Sequence, residues 1–375
     1  MTHCALCRDK ITQSNDSKEH IIPHAVGGRR KVRGFICRTC NNTSGRQWDA
    51  KLAEQYNWFA VTLNIKRESG APPSQPVRTV SGQGLILHAD GTMSPDKPEV
   101  QTTGTPAGLQ ISVKARTMAE AKKILLGIQR KYPNTDINDM LEKMIVETTM
   151  PDGPVMTSFE FGGSLAGRSI VKTAVSMAYK MSLPPDRCEF ALQYLTDESA
   201  TPAFSEFFIR DLVQDRPQNH LFHVVSVLGD PITRRLTAYV EYFGLSRFVV
   251  HLSLDYLGPA VHKTYSLNPA TGEELNIAVD FSLSDEEYRL SKSNDAVPSG
   301  SREAAFHYAM PIILRSMYAR EDKRVLEQAI DEAFREIGAM PDQELTVEQL
   351  MEFSKRLAHK VTPHILRTIR NRPRI

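Results

Sequence analysis

The chain has 375 residues, 41% of them hydrophobic, with 46 Lys and Arg against 44 Asp and Glu. That length allows two or three domains, and the apolar fraction is that of a folded globular protein, which excludes a fibrous or wholly disordered chain. No apolar run has the length of a membrane-spanning helix, and Cys4 and Cys7 stand where a signal peptide needs an apolar stretch, so a cytoplasmic protein without membrane partners is expected.

The net charge of +2 is unevenly divided. Residues 1–80 carry 13 Lys and Arg against 6 Asp and Glu, which makes them +7 and leaves −5 for the remainder. Between Glu19 and Asp49 there is no acidic residue, while Arg29, Arg30, Lys31, Arg33, Arg38 and Arg46 fall there. A polyanion is the natural partner of such a segment.

In chain order, residues 1–65 form a first module that ends in a helical stretch with Trp48, Leu52 and Tyr56 on one apolar face. Residues 66–80 are a connection in which Ala71-Pro72-Pro73-Ser74-Gln75-Pro76 breaks all periodicity. Gly84–Gly91 then reads as a strand entering a tight turn, and Leu109–Lys114 alternates as a half-buried strand does. Thr117 with Glu120 is a capping-box signature for a helix stopped by Pro133, and a second helix is expected over Gly167–Met181. The Gly-rich stretch before that helix, with Arg168 and Lys172 beyond it, reads as a turn rather than an anion cradle. From Leu221 to Leu267 four apolar runs separated by turn residues predict an antiparallel meander. Helical periodicity returns in residues 301–375, with a stripe from Val325 to Ile337, a cap at Thr346 and Gln349, and a basic tail of Arg367, Arg370, Arg372 and Arg374. Together these predict an α+β protein: a small first module, an α+β region over 81–300 with an antiparallel sheet, and a helical C-terminal region.

Four of the five cysteines fall in two Cys-x-x-Cys pairs, Cys4/Cys7 and Cys37/Cys40. Each such turn delivers two thiolates to one side of a tetrahedron, so two turns complete a closed structural zinc site. Redox catalysis and haem attachment need only one copy, and disulfides do not suit the expected compartment. Cys188 stands alone and is expected to be a small buried residue. The 29 residues between Cys7 and Cys37 exceed a simple zinc ribbon. They contain Glu19-His20-Ile21-Ile22-Pro23 and Gly27-Gly28, and the second knuckle is followed at once by Asn41.

In this order of parts the first 60 or so residues resemble the HNH endonucleases, the ββα-metal nucleases, in their branch with two Cys-x-x-Cys knuckles. The resemblance implies that His20 is the general base, that Glu19 and Asn41 hold one catalytic divalent cation such as Mg²⁺, and that DNA is cleaved. Imidazole chemistry near neutral pH and hard oxygen donors for a hard cation are consistent with those roles. Arg29, Arg30, Lys31 and Arg33 would then contact phosphates, and Arg46 the scissile one. His24 is an auxiliary candidate, and Asp49 is expected to stabilise its helix or pair with an arginine. Many members of the family place an asparagine shortly before the second knuckle, where this chain reads Lys31–Ile36 without one. A restriction or antiphage-defence setting, with residues 81–375 setting target recognition or regulation, follows from the resemblance only. The competing readings are a non-catalytic zinc module that binds nucleic acid and an enzyme that cleaves RNA.

Overall fold

The structure, a computed structural model, describes residues 2–68, 70–105, 108–134, 136–142, 144, 151–293, 295–340 and 343–371. It is α+β. Arg372 and Arg374 of the basic tail lie outside the described residues.

The first module is a hairpin of β1 (Asp16–His20) and β2 (Lys31–Cys37) followed by helix α1 (Arg38–Ser44). A π-type turn over Gly45–Asp49 leads into α2 (Ala50–Gln55) and α3 (Asn57–Thr62). Leu52, Tyr56 and Phe59, the apolar face expected from the spacing, are fully buried. The Pro-rich connection runs directly into β3 (Gln75–Thr79), which pairs with β4 (Gly84–Leu87) and, at the other edge, β8 (Val155–Met156). β5 (Met93–Pro95) completes that sheet beyond β4. A separate ribbon joins β6 (Glu99–Thr105) to β7 (Gly108–Lys114), before α4 (Met118–Lys131) and α5 (Ile137–Glu142). At the start of α4 the Thr117 hydroxyl accepts from the Glu120 amide, whereas the Glu120 carboxylate turns back to Arg116 rather than to the cap.

Helix α6 (Gly163–Lys180) begins four residues earlier than the sequence implies and is buried on every side from Ala166 to Ala178. The glycine at 167 is needed for packing: a Cβ there would lie 2.1 Å from the Phe204 ring. After α7 (Glu189–Thr196) comes a six-stranded antiparallel sheet of β9 (Phe204–Glu206), β10 (His223–Asp230), β11 (Arg235–Tyr242), β12 (Ser246–Ser253), β13 (Val261–Leu267) and β14 (Glu274–Leu275). Its order is β14-β13-β10-β11-β12-β9. The four expected runs are therefore strands, but not a simple meander: β13 returns to lie beside β10, a Greek-key arrangement. Val225 and Val227 of β10 face one apolar cluster and Val224 another, as alternate residues of a strand must. With both faces covered, the strands read as nearly continuous apolar runs. Helix α8 (Asp285–Leu290) packs against the second face through Tyr288 and carries a complete capping box at Ser284 and Glu287. The chain closes with the long helices α9 (Ser301–Glu336) and α10 (Val347–Asn371), which pack together through pairs such as Phe334 and Phe353. No described helix is long and apolar enough to cross a membrane.

The first module does not have a core of its own. Ile21, Ile22, Phe35, Tyr56 and Phe59 belong to one apolar cluster with Ile170, Val171, Ala174 and Val175 of α6 and with Val225, Val240, Phe243 and Val250 of the sheet. Burial of apolar surface in a segment this short holds little by itself, so sharing a core with α6 and the sheet is what orders it.

Candidate active site

The Sγ atoms of Cys4, Cys7, Cys37 and Cys40 all lie within 4.8 Å of one another, the spacing of a tetrahedral thiolate site. The Cys37 amide points at Cys4 Sγ at 3.3 Å and the Cys40 amide at Cys37 Sγ at 3.5 Å, contacts that favour thiolates. The residues fit zinc, and a closed four-cysteine set leaves no position for substrate. Since Cys37 ends β2 and is the N-cap of α1, the cluster sets the angle at which Asn41 leaves the hairpin. Cys188 is fully buried and burial pushes its thiol up to about 12, so it is inert.

The loop between β1 and β2 carries Pro23, His24 and the glycine pair. An ideal Cβ on Gly28 would stand 1.7 Å from the Ile22 carbonyl oxygen, so the backbone doubles back too closely for any side chain. Bracing comes from outside the module. His223 Nε2 donates to the Val26 carbonyl at 2.7 Å, and Ser176 of α6 donates to the Ile21 carbonyl at 3.4 Å. These contacts hold the loop without the asparagine missing from Lys31–Ile36.

A cavity of about 950 Å³ opens beside this loop, and Glu19, His20, His24, Asn41, Arg46 and Arg67 are among the residues that line it. His20 Nε2 is buried and has no hydrogen-bond partner, although Glu68 Oε1 lies 3.4 Å away. Burial, reinforced by Lys31 and opposed by Glu68, pushes the imidazole down to about 4, so it is neutral at physiological pH. The His24 ring lies 5.2 Å from that of His20, its Nδ1 is also unpartnered, and burial lowers its pKa. Arg67 Nε is a third buried, unpartnered polar atom on the same wall. His20, His24 and Arg67 thus bring two imidazoles and a guanidinium to one cavity. Asn41 and Glu19 supply hard oxygen donors to the same space, a set that suits a divalent cation of the Mg²⁺ type.

Glu19 is engaged on its protein side as well. Neighbouring residues of a strand face opposite ways, and Glu19 turns inward to meet Lys172 of α6 at 2.5 Å. The same ammonium lies 2.6 Å from Asp49 Oδ2 and 3.4 Å from Ser44 Oγ, and Ser169 donates to Asp49 Oδ1 at 2.5 Å. Burial opposes the lysine's charge, but Asp49 and Glu19 outweigh it and hold the pKa above its ordinary value. On Glu19 burial wins, with repulsion from Asp49 added, and the carboxyl rises to about 7 against the pull of Lys172. Asp49 thus pairs with a lysine and a serine of α6, not with an arginine.

The basic residues divide into two groups. Arg46 is exposed on the cavity rim. Arg30 is paired with Glu274 and lies over the Tyr265 ring, Lys31 is paired with Glu68, Arg33 with Asp16, and Arg29 donates to the Lys66 carbonyl. None of these four lines the cavity.

Lys172, Ser169, Arg67, Glu68 and His223 are site residues that the motif does not contain. Lys172 had a signal: it is the single charge in the otherwise small and apolar run Ser169–Tyr179, and a lysine in a helix buried all round must have carboxylates to meet.

No curated protein and no solved structure matches this chain. Residues 4–57, which hold both knuckles, Glu19, His20 and Asn41, match the model of the HNH endonuclease family, and this N-terminal module is an HNH endonuclease domain.

Proposed function

We propose that this protein is a metal-dependent endonuclease that hydrolyses phosphodiester bonds of DNA, with His20 as general base and Glu19 and Asn41 as ligands of one divalent cation. The observation that carries this reading is the His20 imidazole on the wall of a cavity that also presents Glu19, Asn41 and two arginines. His20 accepts the proton of the attacking water, and a phosphate beside it would favour the imidazolium and raise its low pKa. Arg46 and Arg67 offer charge to the phosphate, in keeping with their place on the cavity. A bound divalent cation supplies stabilisation of charge on the leaving 3′ oxygen.

DNA is the substrate class favoured by the family resemblance, and a restriction or antiphage-defence setting rests on that resemblance alone. The balance of −5 beyond residue 80 disfavours a broad DNA-binding face there, which supports a role in regulation or in reading a feature of the target. Purified protein incubated with supercoiled plasmid and Mg²⁺ or Mn²⁺ tests the proposal. Nicking or linearisation that is lost with EDTA and in His20→Ala supports it. A folded, zinc-loaded protein that binds nucleic acid without cleaving it supports the zinc binding module instead, and matched RNA substrates identify an RNA-cleaving enzyme.

A further inference from the structure

We infer that Lys172 is a positioning residue of the nuclease centre, supplied by a helix outside the segment that matches the family, and that its ammonium decides where the divalent cation sits. The inference rests on the proposed role of Glu19 as a cation ligand. Glu19 Oε1 and Asp49 Oδ2 both lie within 2.6 Å of one point, and that point is Lys172 Nζ. Two carboxylates converging in this way make a cation site in their own right. Lys172 fills it: its side chain is 1% exposed, and its three N–H groups are directed to Glu19, Asp49 and Ser44. A divalent ion is therefore excluded from the space between the carboxylates and is left the cavity that Glu19 lines together with Asn41 and His20.

The placement is built into α6. Ser169, Lys172 and Ser176 follow one another at helical spacing on the face turned to the nuclease module, where they reach Asp49, Glu19 and the Ile21 carbonyl. One face of one helix thus holds both acidic residues and the strand end that carries His20. The HNH segment alone cannot supply this, because Lys172 stands 153 residues beyond Glu19.

The role predicts an uncommon pairing of effects. In Lys172→Met, a variant of similar length, the two carboxylates lose their ammonium and attract a divalent ion to the wrong place. Removing one positive charge from within ~4 Å of a divalent ion changes its affinity more than about tenfold even at the dielectric of water. Full-length, zinc-loaded wild type and K172M are titrated with Mn²⁺ by electron paramagnetic resonance, and plasmid cleavage is measured at saturating Mn²⁺. The expected result is tighter Mn²⁺ binding in K172M together with cleavage at least about tenfold slower. Lys172→Arg, which restores the charge, returns Mn²⁺ affinity toward wild type.

Unchanged Mn²⁺ affinity in folded K172M overturns the inference and leaves Lys172 a packing residue. Tighter binding with faster cleavage also overturns it, since Lys172 would then be an inhibitor. If K172M does not fold, Lys172→Gln, which removes the charge but can still hydrogen-bond to Glu19 and Asp49, takes its place and is read in the same way: tighter Mn²⁺ binding with slower cleavage supports the inference, and unchanged Mn²⁺ affinity overturns it. A wild type that binds Mn²⁺ but cleaves no nucleic acid sinks the nuclease reading, while the affinity comparison between wild type and K172M still decides the role of Lys172.

Discussion

His223, the first residue of β10, donates from Nε2 to the Val26 carbonyl at 2.7 Å, and its Nδ1 accepts the Phe243 amide at 2.9 Å. Both ring nitrogens are committed, so the imidazole is held neutral as one tautomer between the sheet and the loop that follows His20. The loop after His20 is thereby pinned by a residue 197 positions further along the chain than Val26.

That pin is sensitive to acid. Burial pushes His223 down to about 4 against an ordinary value of 6.5, with the hydrogen bonds partly opposing. A group whose folded pKa is depressed contributes stability that is complete above its unfolded value and is lost as pH falls toward the folded one, here from 6.5 to about 4. Between pH 7 and 4.5 the wild type should lose about 2–3 kcal/mol from this group, a loss absent from His223→Gln. Urea unfolding of both proteins at the two pH values measures the difference, and equal acid losses would refute it.

His20→Ala should lower the rate of plasmid cleavage at least ~100-fold, the usual scale for removing a general base. Affinity for nucleic acid should remain, because His20 carries no charge to lose at neutral pH. Initial rates and gel-shift titrations on the same preparations check this. A parallel loss of binding would point to a structural role for the ring.

Arg67 is on the cavity with an unpartnered nitrogen, whereas Arg30 is paired with Glu274. Arg67→Ala should weaken binding and reduce the slope of log affinity against log salt by about one, with little dependence on sequence. Arg30→Ala should leave that slope nearly unchanged. Fluorescence anisotropy at several salt concentrations distinguishes the two, and a reduced slope for Arg30→Ala alone would reverse the assignment.

Removal of zinc should unfold the first module and loosen what it packs on. Cys4 and Cys37 are buried within the cluster shared with α6 and the sheet, so the cost should exceed about 4 kcal/mol, in the range that marks loss of a structural metal. Calorimetry with and without chelator, and of Cys37→Ser, should show a lower melting temperature matched by release of zinc. Chelation that leaves the melting temperature unchanged would show that the cysteines hold no structural ion.

Much of the candidate site was legible because metal and proton chemistry restrict residue types at short spacing. Cys4/Cys7 and Cys37/Cys40 come together, and Glu19, His20 and Asn41 line one cavity, as their order along the chain implied. The strands β10 to β12 were legible in their apolar runs. The arginine cluster was less so: charge density pointed to a polyanion, yet Arg30, Lys31 and Arg33 have carboxylate partners within the chain.

The HNH module, its four-cysteine cluster and the α+β character of the chain follow from local spacing and periodicity. The return of β13 beside β10, the bracing of the loop after His20 by His223 and the place of Lys172 between Glu19 and Asp49 come from long-range packing. A buried charge or hydrogen-bonding group must find a partner, but local sequence shows only that it needs one, and packing between segments distant along the chain selects which.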